Sequence, residues 1–402
     1  MRLCEKLVRS PALSPAERDL LQQARRIVAD DVAEYYYMGT DQEFWQISRD
    51  FPNLAPPFET FFIECRAPRM IVSRAYGTRL WTPDMGYEWG NLCRATSRQQ
   101  RLAALADKEG RQHLWSEMVG EVRYLQATLQ NWPAGQPSAV PLDNAHSLVY
   151  SPALVEARLA RGHRLLTWMR LGWWEQVRRL LESDPWEWSI DLWTFVHFSR
   201  SEHDLSGPVW WTRLRVRATG EVEIDGQGAA IWEDRALGWV NQALTSLRER
   251  SPGEYASAVQ EARLSLAPLL HTALLTISFL HCHNVTLSEV RPPYRPLSNR
   301  QRRRGEHARP PLAYHVLDIR PLHEILRPRG QPEHTGSRRA LHTCRGHFAH
   351  YQKRGLFGKY QGTFWRPQHM RGNAEQGVRS REYRVHLPAR DPRMTHRRNR
   401  ES

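Results

Sequence analysis

The run Leu264–Leu280 is the longest apolar stretch of the chain, and it decides what the rest must do. It falls short of the about 20 consecutive apolar residues that a membrane-spanning helix needs. It also carries Pro268, His271 and several Ser and Thr hydroxyls. Such a segment belongs inside an aqueous fold, with the other elements packed around it. We therefore read Pro252–Leu280 as one buried helix at the centre of the core, ending at His281-Cys282-His283-Asn284-Val285. With 402 residues, 41% of them hydrophobic, the chain is long enough to surround it. The segment Met1–Lys6 has no apolar stretch of signal-peptide type, so the expectation is a cytoplasmic protein with no membrane partner. Cys4, Cys65, Cys93, Cys282 and Cys344 are single, widely spaced and odd in number. They spell no disulfide framework and read as reduced thiols.

The remaining elements can be placed by punctuation and period. Ser14-Pro15-Ala16-Glu17 is a capping box with Pro at the first helical position. Leu21, Ala24, Val28 and Val32 follow at helical spacing and predict a helix from Pro15 to about Tyr37. Prolines separate short apolar runs at Phe61-Phe62-Ile63 and Met70-Ile71-Val72, which read as strands, as does Tyr87–Cys93. Helical patterns cover about Ser97–Asn131, broken near Gly110, and a block from Ser151-Pro152 to Leu181 weakened at Gly162 and Gly172. Trp168, Trp173, Trp174, Trp186, Trp188 and Trp193 fall in or just after that block and read as core. A further helix is expected over Glu233–Arg248.

Trp210–Asp225 is the best hairpin in the sequence. A loop of Ala218-Thr219-Gly220 sets Val216 opposite Val222, Arg217 opposite Glu221 and Arg215 opposite Glu223. Gly220 then takes the left-handed position that such a loop needs.

Charge divides the chain. Residues 291–402 hold 26 Lys and Arg against 8 Asp and Glu, a balance of +18, which leaves −4 for residues 1–290. Ten of the 18 histidines lie in the basic part. A polyanion-facing module joined to a near-neutral body is the natural reading, and nucleic acid is the leading polyanion. An acidic protein partner is the alternative.

The expected fold class is α+β: a largely helical body with short strands and a hairpin, plus a small basic Gly/aromatic-rich C-terminal module containing β-structure. The domains are 1–290 for the body, 291–311 for a Pro/Arg-rich linker, 312–388 for the basic module and 389–402 for a disordered basic tail. Tyr314–Arg320 alternates and reads as a strand of that module.

The most distinctive segment is HTCRGHFAHYQKRGLFGKYQGTFWRPQHMRG, residues 342–372. Glycines punctuate aromatics, and basic residues interleave with both. Cations that track phosphates beside rings that stack on bases make up a single-strand groove. On that chemistry Arg345, His347, Lys353, Lys359, Trp365, His369 and Arg371 are the candidate nucleic-acid contacts. The other reading of the same residues is a compact β-hairpin module whose aromatics form its own core. Cys344 and His347 are the starting pair for a metal site, but no CxxC pair accompanies them and no cofactor is implied. His347 and His369 could instead serve a nuclease by general acid–base chemistry. Phosphate-loop, GxSxG and HExxH motifs do not occur.

Cys344-Arg345-Gly346-His347-Phe348, Leu356-Phe357-Gly358, Gly362-Thr363-Phe364-Trp365 and His369-Met370-Arg371-Gly372 together resemble the C-terminal signature of a bacterial and phage family related to a type V-A anti-CRISPR protein. Ser278–Val285 and the strand Tyr314–Arg320 followed by Pro321 are similar to it as well, as is a loop near Pro57-Phe58-Glu59. Arg366-Pro367 departs from the signature, which has a second aromatic after the Trp. The resemblance implies a non-enzymatic accessory protein of phage or mobile-element type. It also implies action on a nascent chain and its message, lowering production of an effector nuclease.

Three functional expectations result. The first is a non-enzymatic regulator that binds RNA, a ribosome-associated message or a nascent chain through the basic module. The second is a nuclease centred on His347 and His369. The third is a protein–protein inhibitor anchored by Trp173, Trp174 or Trp186.

Overall fold

The computed structural model describes residues 2–33, 51–66, 87–130, 152–198, 207–222, 233–292, 312–319, 340–344, 346–356, 360–366, 369–371 and 373–378. The fold class is α+β. Its frame is one mixed eight-stranded sheet built from β1 (Arg25–Val28), β2 (Thr60–Arg66), β3 (Tyr87–Ser97), β4 (Trp188–Phe198), β5 (Trp210–Val216), β6 (Glu233–Ala236), β7 (Val285–Val290) and β8 (Tyr314–Ile319). The strand order is β6-β5-β4-β3-β2-β1-β8-β7. β1 is parallel to both neighbours, β2 and β8, and every other pairing is antiparallel. Tyr314–Ile319, assigned from sequence to the C-terminal module, is thus an inner strand of the main sheet.

One face of the sheet is covered by the apolar helix. Helix α8 (Pro252–Leu280) matches the sequence expectation, and residues 269–279 are buried throughout. Its Leu270, Leu274 and Ile277 share one core with Phe61, Ile63 and Cys65 of β2, Trp89 and Cys93 of β3, and Ile190 and Leu192 of β4. Two of the helix's buried hydroxyls are satisfied by turning back on the preceding turn. Thr272 donates to the Pro268 carbonyl at 2.9 Å and Thr276 to that of Thr272 at 2.8 Å. Asn91 ties the layers together, donating to the Leu269 carbonyl at 3.2 Å and accepting from Thr194 at 2.8 Å.

The opposite face is shared. Near β2, the alternate residues Phe62, Leu92 and Phe195 pack under α1 (Leu3–Arg9) and α2 (Pro15–Gln23), as the two-residue period of a strand demands. Further along it are α3 (Arg98–Ala106), α4 (Lys108–Gln130), α5 (Pro152–Arg170) and α6 (Trp174–Glu182). The α3–α4 break falls at Asp107, whose carboxylate caps the Gly110 N–H at 2.7 Å. Gly162, read as a weak point, lies inside α5, where a Cβ would come within 2.6 Å of Val122; the helices close up there. Gly172, at φ +73°, separates α5 from α6.

Two expected helices are shortened. The Ser14 capping box is present, with Glu17 N–H to Ser14 at 3.2 Å and Ser14 N–H to Glu17 at 2.8 Å. The helix nevertheless stops at Gln23, and Arg25–Val28 enters the sheet. A central parallel strand is buried on both faces and shows no alternation, so its apolar residues fit a helical period equally well. Likewise Glu233–Ala236 is an edge strand, and α7 begins only at Gly238, running to Arg250. Met70-Ile71-Val72 lies outside the described residues.

The inner strands carry a buried ionic network. Arg26, 3% exposed, meets the Glu64 carboxylate, 1% exposed, through Nε at 3.0 Å and Nη2 at 2.8 Å. Glu64 also accepts the Cys4 N–H at 2.9 Å. Arg2 binds Asp30, Lys6 reaches Glu88 at 2.5 Å and Arg66 reaches Glu88 at 2.9 Å. The network ties α1 to the sheet.

The hairpin turn has the expected geometry: Val216 bridges Val222, and Arg217 N–H donates to the Glu221 carbonyl at 2.7 Å. Glu223 and Asp225 lie outside the described residues, and Arg215 pairs with Glu121 at 3.0 Å. Gly220 has φ +85°, and a Cβ there would stand 1.9 Å from Asn53 Oδ1 and 3.0 Å from its Cα. We expect Gly220→Ala to destabilise by about 2 kcal/mol, since left-handed backbone alone costs an L residue about 1–2 kcal/mol. Urea unfolding of the variant checks this; an unchanged midpoint would contradict the turn.

Candidate nucleic-acid interface

The C-terminal segment forms two small sheets. β10 (His347–Leu356) and β11 (Tyr360–Arg366) make an antiparallel hairpin with His347 opposite Arg366 and Phe348 opposite Trp365. β9 (Ala340–Cys344) lies between β12 (His369–Arg371) and β13 (Asn373–Val378).

The hairpin is docked on the end of α8. Trp365 is 4% exposed, its ring 4.7 Å from Phe279 and 4.9 Å from Phe348 in edge-on contacts. Asn284 stands in for a neighbouring strand: it donates to the Trp365 carbonyl at 2.7 Å and accepts the Trp365 N–H at 2.8 Å. His283 N–H donates to the Thr363 carbonyl at 2.9 Å, and its ring stacks on Phe364. Gly362, at φ +103°, makes room for that ring, since a Cβ would lie 2.2 Å from His283 Nε2. The same corner holds the 53–58 loop, with Ser278 bonded to the Asn53 carbonyl at 3.2 Å and His281 to the Ala55 carbonyl at 2.7 Å. Three of the segments that carry the family resemblance therefore meet in space, as packing.

For three of the aromatics the packing is explicit. Phe364 and Trp365 are buried, Trp365 in the core of the main sheet, and Phe348 packs half-buried against that core. Its ring has no face left for a base, which removes it from the contact set named from sequence. His347 is exposed, in register with Arg366. The backbones of Lys353, His369 and Arg371 are on β10 and β12, with their side chains outside the described residues, where Arg345 and Lys359 also lie. His369 is opposite Cys344 in the β12–β9 register, whereas His347 belongs to the other sheet. The pairs proposed for a nuclease (His347 with His369) and for a metal (Cys344 with His347) are each divided between the two sheets. Among the described residues no cluster of three metal-ligating side chains occurs.

Of the other cysteines, Cys4, Cys65, Cys93 and Cys282 are free and buried. Burial pushes the Cys4 and Cys282 thiols up to about 12 and raises Cys65 and Cys93 as well, so all four are packing groups, not nucleophiles. The proposed Trp anchor divides: Trp173 is 48% exposed beside Leu171, Trp174 is half-buried under Arg111, and Trp186 is buried.

Sequence reasoning missed a second site. Between α3–α6 and strands β3–β6 lies a cavity of about 730 Å³, lined by seven arginines, five carboxylates and four tryptophans. Its floor is the outward row of three strands, where Arg94, Asp191 and Arg213 stand in register, beside Leu92, Trp193 and Trp211. The alternation of Arg213 and Arg215 is visible in the sequence, but the strands that complete the floor are far away along the chain.

Comparison with protein-family models, curated proteins and solved structures finds no match. Function must therefore be argued from the chemistry of these two surfaces. Among the described residues no helix is long and apolar enough to cross a membrane.

Proposed function

We propose that the chain is a non-catalytic regulator that binds RNA, as a free or ribosome-associated message with its nascent chain, through its basic C-terminal third. The observation that carries this reading is the charge partition: +18 over residues 291–402 against −4 over the rest. Guanidinium and ammonium groups at that density displace the counterions condensed on a phosphate backbone. The docking of β10–β11 through Asn284 and Trp365 supports it, because the hairpin within this basic segment is held to the core. Base stacking on Trp365 has no part in it; the contacts are ionic, from Arg345, Lys353, Lys359 and Arg371, with His347 and His369 beside them. The resemblance to the anti-CRISPR-related family adds the nascent chain as a partner and a mobile-element setting.

The test is binding of a labelled single-stranded RNA by the full chain across a salt series. About five phosphate contacts predict a roughly 100-fold loss of affinity between 50 and 200 mM salt. Arg345→Ala with Arg371→Ala should flatten the slope by about 0.7 per contact removed, with the unfolding midpoint unchanged. Binding that ignores salt, or an acidic protein captured in place of RNA, would overturn the reading.

A further inference from the structure

The α3–α6 cavity is a built site with a cationic surplus. Its carboxylates are already committed. Asp191 is held by Arg213 at 2.7 and 3.0 Å, and Glu117 by the same guanidinium at 2.5 Å. Glu121 is held by Arg215 at 3.0 Å, Asp184 by Arg161 at 3.6 Å, and Glu59 accepts from Gln100 at 3.1 Å. Three lining arginines are left with no carboxylate partner among the described residues. Arg94 is exposed. Arg235 lies 4.5 Å over the Trp211 ring. Arg101 spends its donors on the Thr96 and Trp186 carbonyls, at 3.2 and 2.9 Å. Burial lowers Arg101 from the ordinary guanidinium range, with Asp184 and Glu187 opposing the shift and Arg215 and Arg213 adding to it.

The surplus is paired with a flat apolar surface. Trp211 is covered by Arg235 and Arg213, whereas its cross-strand neighbour Trp193 is half-buried and lines the cavity. Guanidiniums that can fork a phosphate, beside an indole that can take a ring, are the complement of a nucleotide. The volume falls inside the about 300–1,000 Å³ of small-molecule sites. Arg94 and Arg235 are on strands three steps apart, about 14 Å at the usual strand spacing, so they address opposite ends of an occupant.

We infer that this cavity binds a nucleotide, its base against Trp193 and its phosphate on Arg94 or Arg235. The nucleotide is either a free mononucleotide or one unit of an RNA strand. The site is separate from the C-terminal contacts, so either proposal can fail alone.

The test uses the full chain. Calorimetry with AMP, UMP and inorganic phosphate reads the first source. Ultraviolet crosslinking of oligouridylate, with peptide mapping, reads the second. Arg94→Glu and Arg235→Glu change cavity arginines that hold no ion pair among the described residues, so both variants should fold. Stoichiometric AMP or UMP binding, weakened at least tenfold by either variant and not reproduced by phosphate, supports a free nucleotide. Silence in calorimetry with crosslinks in peptides 186–198 or 210–216, lost in the variants, supports an RNA strand. Crosslinks confined to residues 340–378, or none, together with no mononucleotide binding, would overturn the inference. So would binding that both variants leave unchanged.

Discussion

Trp365→Ala is expected to destabilise the chain by about 3–5 kcal/mol, the usual range for removing a buried aromatic. The indole fills the corner between Phe279 at the end of α8 and Phe348 on the facing strand. The two Asn284 hydrogen bonds go to the Trp365 backbone and persist, so the loss is one of packing. Trp365→Phe keeps a ring in place and should cost well under half as much. Denaturant unfolding measures both. An alanine variant as stable as the parent would mean that the ring is not in the core, and the stacking reading would return.

Glu64→Ala is expected to cost a similar about 3–5 kcal/mol, for an electrostatic reason. Removing the carboxylate strips the Arg26 guanidinium, 3% exposed, of its two short ionic hydrogen bonds and leaves it only the longer contact to Glu5 at 3.6 Å, and it takes the acceptor from the Cys4 N–H. The attraction within a buried pair roughly offsets desolvation, so the pair adds little net stability while its breakage is severe. The double variant Arg26→Met, Glu64→Leu should therefore lie within about 1–2 kcal/mol of the parent. If the single variant were the milder one, the network would not be the internal contact described.

Local chemistry was legible and long-range partnership was not. The boundaries of α8, the Ser14 cap and the Ala218-Thr219-Gly220 turn each depend on residues within a few positions, and each stands as expected. The strand Arg25–Val28 does not, because its buried Arg is explained by Glu64, Glu5 and the Leu312 carbonyl, all far along the chain. Trp188–Phe198 was absorbed into a helical tryptophan cluster, since Ser189, Asp191 and Trp193 line a cavity of mixed chemistry and blur the alternation. At the C-terminus the Gly/aromatic rhythm marked the right segment. Whether a ring faces solvent or core was decided by Phe279 and Asn284, which belong to another element. The cavity required four strands and four helices to come together before its surplus arginines could be seen.

The central claim is that the C-terminal segment binds RNA by charge while its tryptophan serves the fold. The most direct measurement is RNA affinity at low salt for Trp365→Phe beside the Arg345→Ala, Arg371→Ala double variant, with unfolding midpoints taken on the same samples. The account predicts unchanged affinity with a lowered midpoint for the first, and weakened binding with an unchanged midpoint for the second. The reverse pattern, affinity lost with the ring and kept without the arginines, would contradict it.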